Sequence, residues 1–239
     1  MIRSLIQKEV KQYFSSPIAY ITMTFFLVIQ SVLFFIFQNF FVSNIASLRG
    51  YFGLMPIIFV FLLPSITMRT WAEERKQGSY ELLITLPYRT VDLVIGKFLG
   101  AFILFCIMLA LTISIPISVS VFGVFEIGEL IGEYLAVLFV AAAGIGIGTC
   151  ISSLATNQIS AFIISVLWLC FFTLIGNVSQ FVALPELLSR FFSYISFNSH
   201  YSSMLKGLID TRDIIYFLVI IVGSLILTVY TIEKRKESQ

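Results

Sequence analysis

The side chains able to do chemistry are few and scattered. Ser202 and Lys206 stand four apart and, on a helix, would share a face as the nucleophile and base of an intramembrane hydrolase. The competing reading, a solvated lysine at a membrane interface, is the stronger one. His200 is the only histidine, which excludes a multi-histidine metal site. Cys106, Cys150 and Cys170 all sit in apolar runs, as buried thiols rather than disulfide or cluster ligands. Gly96-Lys97 ends like a phosphate-binding loop, but Phe98 follows and no glycine stands five residues before Gly96. The stretch Gly144-Ile-Gly-Ile-Gly148 has the glycine spacing of a nucleotide loop without a preceding strand. Its small residues four apart, Ala142 with Gly146 and Gly144 with Gly148, instead suit close helix packing in a membrane, within one chain or between two. No Asp, Glu, Lys or Arg falls deep within an apolar run, which disfavours an autonomous ion-coupled pump. The residues therefore assign no catalytic, metal or cofactor site.

The elements that position these residues follow from composition. Of 239 residues, 59% are hydrophobic and 12% charged, with a mean hydropathy of +0.99. That apolar excess is too large for one small domain to hide. A soluble enzyme, a disordered tail and a nucleic-acid-binding domain are excluded, and a net charge of +2 implies no nucleic-acid partner. The partner it does imply is a lipid bilayer. Six runs approach the roughly 20 apolar residues that a bilayer core requires. They cover about Ile18 to Phe37, Phe52 to Met68, Phe98 to Val121, Tyr134 to Ile151, Ile159 to Val178 and Ile214 to Ile232, with Pro56, Pro64 and Pro116 inside the second and third. Lys8 and Lys11 interrupt the N-terminus, which does not read as a cleavable signal.

Basic residues set the orientation. With both termini cytoplasmic, Arg3, Lys8, Lys11, Arg69, Arg75, Lys76, Arg89, Lys97, Lys234, Arg235 and Lys236 lie inside, eleven in all. Only four, Arg49, Arg190, Lys206 and Arg212, remain outside. The predicted fold is an all-α membrane protein forming a single unit over 1–239, with three further segments. Residues 1–16 read as an interfacial helix, with Ile2, Leu5, Ile6, Val10, Tyr13 and Phe14 toward lipid and Arg3, Gln7, Lys8, Lys11 and Gln12 opposite. Residues 69–97 form the longest polar stretch. In it a charged run, a Gly78-Ser79 break and a short leucine-bearing helix ended by Pro87 read either as a solvated loop or as a docking surface. Residues 180–213 lie outside the membrane and are partly apolar, with runs too short to span. They read equally as interfacial packing or as a re-entrant lid.

Three motifs carry a resemblance. They are Phe14-Ser-Ser-Pro-Ile-Ala-Tyr20, Thr67-Met-Arg-Thr-Trp-Ala-Glu-Glu-Arg-Lys-Gln-Gly-Ser-Tyr-Glu-Leu-Leu83 with Pro87, and Phe197-Asn-Ser-His-Tyr201 continuing to Gly207-Leu-Ile-Asp-Thr-Arg-Asp213. Over essentially its whole length the chain resembles the permease subunits of type-2 ABC exporters, and the third motif is similar to their gliding-motility-associated branch. The resemblance implies a non-catalytic, multi-pass subunit of a bacterial inner membrane, with both termini cytoplasmic. ATP and Mg would be bound by separate ABC ATPase subunits. The polar segment after the second span would be the coupling helix, with Glu73, Glu74, Arg75, Lys76, Gly78, Ser79, Glu81, Leu82 and Leu83 contacting the ATPase. The outer segment would gate the exit through Phe191, Phe192, Phe197, Asn198, His200 and Tyr201. The other half of the pathway would come from a second permease copy or from a related membrane subunit with an extracytoplasmic domain. A different expectation fits the same resemblance: a mechanical transmitter that moves an outer partner and transports nothing.

Overall fold

A computed structural model describes residues 2–37, 48–78, 88–121, 126–178, 185–207 and 210–237, and these are helical almost throughout, with no strand among them. Helix α1 (Ile2–Phe14) precedes the first long helix, α2 (Pro17–Val32), which continues as a π-helical turn over Leu33–Phe37. Then come α3 (Arg49–Gly53), α4 (Met55–Thr67) and the short α5 (Ala72–Lys76). Helices α6 (Thr90–Leu111) and α7 (Ser114–Val119) follow, and then α8 (Ile127–Leu154) and α9 (Gln158–Leu174) with its 3-10 extension Ile175–Asn177. The chain closes with α10 (Glu186–Ile195), α11 (Phe197–Leu205) and α12 (Thr211–Glu237). Six stretches are long and apolar enough to cross a bilayer: Pro17–Ile36, Met55–Lys76, Thr90–Val119, Ile127–Leu154, Gln158–Asn177 and Thr211–Glu237.

The proline and capping chemistry accounts for where these helices start and bend. Ser16 precedes Pro17 in extended conformation, and its hydroxyl accepts from the Ile18 amide at the start of α2. Pro116 has no amide to offer the carbonyl of Thr112, and the third span breaks there into α6 and α7. The freed carbonyl accepts from the Ile115 amide at 3.0 Å instead.

The fourth span, α8, is the most enclosed of the six and packs against the second, third, fifth and sixth, while the first lies against the second and third. Its glycines set the spacing. A Cβ added at Gly144 would lie 2.4 Å from Leu63 Cδ1, and one at Gly148 would lie 2.1 Å from Thr67 Oγ1, so this edge is pressed against α4. Gly146 faces the other way, where an added Cβ would lie 2.4 Å from Ser224 Oγ of α12. Ala142 is buried on the same helix. Gly144, Gly146 and Gly148 thus each meet a neighbouring span of the same chain.

Two boundaries differ from the hydropathy reading. The third span begins at Thr90 rather than Phe98, and the fourth at Ile127 rather than Tyr134. Hydropathy stops at the first charge, whereas a helix can continue past it, as α6 does where Lys97 meets Glu9 and Glu74. Lys97 and Glu133 consequently lie inside helices and are buried. Both stand within the first eight residues of their helices, near the ends of the spans.

The glycine contacts predict an asymmetric response to a larger side chain. Gly148→Val should cost about 1–3 kcal/mol of stability through overpacking against Thr67. Gly223→Val should stay within about 0.5 kcal/mol, because nothing lies within 4 Å of a Cβ at Gly223. Equilibrium unfolding in mixed micelles measures both.

Candidate functional site

The charge-rich end of the bundle, where α1, α5, the start of α6 and the ends of α8 and α12 meet, holds most of the side-chain interactions between distant segments. Helix α5 has only five residues, and its N-cap position, Trp71, provides no side-chain cap. Ser152 supplies one from another helix. Its hydroxyl oxygen accepts from the amides of Trp71 and Ala72 at 3.2 and 3.3 Å, and it donates to the Met68 carbonyl at 3.2 Å. Orphaned amides at a helix start need such a partner. The C-terminal half of α5 is fixed by Arg75, whose guanidinium donates to the carbonyls of Ser153 and Ala155 at the end of α8. A cation belongs there, because the last carbonyls of a helix have no intrahelical donors and carry the negative end of its dipole.

The remaining charges of this segment turn inward too. Glu74 and Glu9 flank Lys97, with Nζ 2.6 Å from Glu74 Oε1 and 3.2 Å from Glu9 Oε1. The side chains of Lys97, Glu9 and Glu74 are only 2%, 6% and 8% exposed. The Trp71 ring completes the enclosure, its centroid 5.0 Å from Nζ, within reach of a cation–π attraction. Glu73 is engaged by Arg69, whose Nε lies 2.9 Å from one carboxylate oxygen. Arg69 also donates from Nη1 to Ser16 Oγ at 2.7 Å, joining this segment to the α1–α2 junction. The Tyr13 hydroxyl donates to the Ile66 carbonyl at 3.2 Å. Burial, reinforced by the nearby Glu9 carboxylate, holds the Tyr13 phenol well above its ordinary range, so it remains a donor.

Three of the four charged residues read as an exposed docking run are therefore internal anchors, and Lys76 is the charge left outward, beside exposed Gln77 and Gly78. Gly78, at φ +70°, ends α5 in the left-handed region that glycine tolerates. Ser79, Glu81, Leu82 and Leu83 lie outside the described residues. In helix α1, Leu5 and Glu9 are buried against α6 and Ile6, Val10, Tyr13 and Phe14 are partly buried, while Ile2 is exposed along with Arg3, Gln7, Lys8, Lys11 and Gln12. Sequence reasoning missed Lys97, Glu9, Ser152 and Ser153. The available signal was Gly96 and Gly100 flanking Lys97 at helical spacing, opposite Leu5, Glu9 and Tyr13 spaced four apart.

At the far end, the residues read as an outer gate divide in two. Phe197, His200 and Tyr201 are buried in α11, which packs on α8, whereas Phe191 is exposed on α10, with Phe192 and Asn198 partly covered. His200 Nδ1 lies 2.6 Å from Asp213 Oδ1, Nε2 lies 2.9 Å from the Tyr194 carbonyl, and the ring stacks 3.9 Å from that of Tyr216. The Tyr201 hydroxyl donates to the Phe52 carbonyl at 2.6 Å, and Gln30 Nε2 of the first span donates to the Tyr51 carbonyl at 2.6 Å. Burial raises the Tyr201 phenol, with Glu133 and Tyr51 adding to the effect. Ser202 donates back to the Ser199 carbonyl and Lys206 is exposed past the helix end, so the drawn hydrolase dyad is not assembled. Among the described residues no group of three or more His, Cys, Asp or Glu could hold a metal ion.

The model of a family described as ABC-2 family transporter protein matches residues 4–236, nearly the whole chain. The chain belongs to that family. No curated protein shows significant similarity to it.

The ion cluster predicts strong non-additivity. Lys97→Met alone should cost about 3–5 kcal/mol, because it leaves two buried carboxylates without their cation. Adding Glu9→Gln and Glu74→Gln should recover most of that loss. Unfolding of the single and triple variants in micelles checks the difference.

Proposed function

We propose that this ABC-2 permease subunit works as the membrane-spanning half of an ATP-driven exporter, without catalytic residues of its own. ATP and Mg are bound and hydrolysed by separate ATPase subunits, and the charge-rich end faces them from the cytoplasmic side of a bacterial inner membrane. The observation that supports this reading best is the seating of α5. It is held by Ser152 and Arg75 on the end of α8 and by Lys97 on α6, with Lys76, Gln77 and Gly78 left outward. A short helix fixed at several points to different spans can pass a push from a docked protein into the bundle without folding away. A solvated loop cannot.

The exit side in this reading is the far end, where α10 lies on the surface and α11 is packed into the bundle. The likeness of 197–201 and 207–213 to the gliding-motility branch supports a related membrane subunit carrying an extracytoplasmic domain as partner, in preference to a second identical copy.

The anchoring pattern selects the variant that tests the docking surface. Charge reversal at Glu73 or Glu74 would attack internal ion pairs, whereas Lys76→Glu changes an outward charge. Lys76→Glu should weaken co-purification of the ATPase subunits about tenfold with thermal stability unchanged. A complex of native stability and native ATP-driven turnover in that variant overturns the placement of the contact at the tip of α5. ATP hydrolysis that moves an outer partner while no cargo crosses would favour a mechanical transmitter instead.

A further inference from the structure

The geometry points to Lys97 as the positioning residue that makes α1 follow the coupling segment as one body, an inference that rests on the function proposed above. Lys97 is the single described cation between Glu74 on α5 and Glu9 on α1, and it projects from a third element, α6. The two carboxylates belong to segments 65 residues apart and share one ammonium. Withdrawing either segment opens this enclosed cluster to water and takes away one of the two carboxylates that hold the ammonium.

The seating of α1 supports the same assignment. An added Cβ at Gly96 would lie 1.9 Å from Leu5 Cδ2, and one at Gly100 would lie 2.7 Å from Glu9 Cβ. These two glycines cut a notch on either side of Lys97 in which α1 rests with almost no clearance. Backbone proximity at Gly100 places Glu9 on the ammonium and fixes the register of α1 along α6. Further contacts tie α1 and its junction with the first span to the same body. Tyr13 donates to the Ile66 carbonyl, and Arg69, which also holds Glu73, donates to Ser16. A displacement applied at α5 therefore reaches α1 through Lys97, and α1 in turn leads directly into the first span. Gly96-Lys97 serves as a helix-docking notch around a cation, which explains why it resembles a phosphate loop only in its two letters.

The test uses the full chain in nanodiscs with its co-purifying ATPase subunits, after Cys106, Cys150 and Cys170 are replaced by alanine. Spin labels at Lys11→Cys on α1 and Lys234→Cys on α12 report the position of α1 against the last span, at two exposed sites. Trapping the ATPases with ATP and vanadate should shift this distance in the native background and in Lys97→Arg. The shift should be lost in the Glu9→Gln, Glu74→Gln, Lys97→Met triple variant and in Glu9→Gln alone, with ATPase binding and hydrolysis retained. A shift that persists in the triple variant overturns the inference, and so does its absence from a native complex that hydrolyses ATP. Loss of ATPase binding by the native chain would instead defeat the functional reading. The chain alone still decides the role of Lys97: its distance distribution must broaden in the triple variant, and an unchanged one overturns the inference.

Discussion

One ammonium enclosed by two carboxylates and an indole ring constrains the rest of this molecule. Moving charges out of water costs several kcal/mol per ion, which only close geometry and further hydrogen bonds repay. The sequence meets that condition by bringing three distant segments to one point. Gly96 and Gly100 remove the bulk that would hold α1 away from α6. Ser152 and Arg75 fix α5 so that Glu74 arrives with the right reach. The early start of the third span at Thr90 supplies the helical turns that carry Lys97 inside.

What the sequence discloses depends on whether the relevant force is local or between segments. Transfer of apolar residues into lipid acts on contiguous runs, so six spans and the breaking effect of Pro116 are visible in a window of about 20 residues. The seating of α1 is not. Its apolar stripe and its lysines are visible in the sequence, but the burial of Glu9 within that stripe is not, because its partner is a lysine 88 residues away beside a glycine notch. Arg75 and Glu74 look like surface charges for the same reason: their partners, the Ser153 and Ala155 carbonyls and Lys97, are remote in sequence. The glycines of α8 stand between these cases. Their spacing discloses close packing, but only the fold shows that Gly148 meets Thr67 while Gly146 meets Ser224.

The two ends of the bundle are held by different chemistry. The charge-rich end uses ion pairs and a helix cap shared between segments. The far end relies on single hydrogen bonds from long polar side chains to backbone carbonyls, namely Gln30 to Tyr51 and Tyr201 to Phe52, together with His200 against Asp213 and Tyr194. Such bonds satisfy carbonyls of the short helix α3, at Tyr51 and Phe52, that a bilayer could not solvate. Between the ends, Ile21, Phe25, Ile57 and Phe61 are exposed around an apolar groove of about 490 Å³ bounded by the first, second and fifth spans. Apolar surface of this kind is at ease in lipid and calls for no polar partner.

Interruptions of the helical ladder occur at both ends of the bundle. Helix α8 runs unbroken from Ile127 to Leu154, and α6 from Thr90 to Leu111, so the segments that meet the ion cluster reach it as continuous rods. The π-helical turn at Leu33–Phe37 and the break at Thr112–Ile113 both lie in the halves of their spans away from it. Bending concentrates where i to i−4 bonds are missing or lengthened. In the second span the break at the charge-rich end, between α4 and α5, is held by Ser152 and Arg75, whereas the interruptions of the first and third spans lie in their far halves.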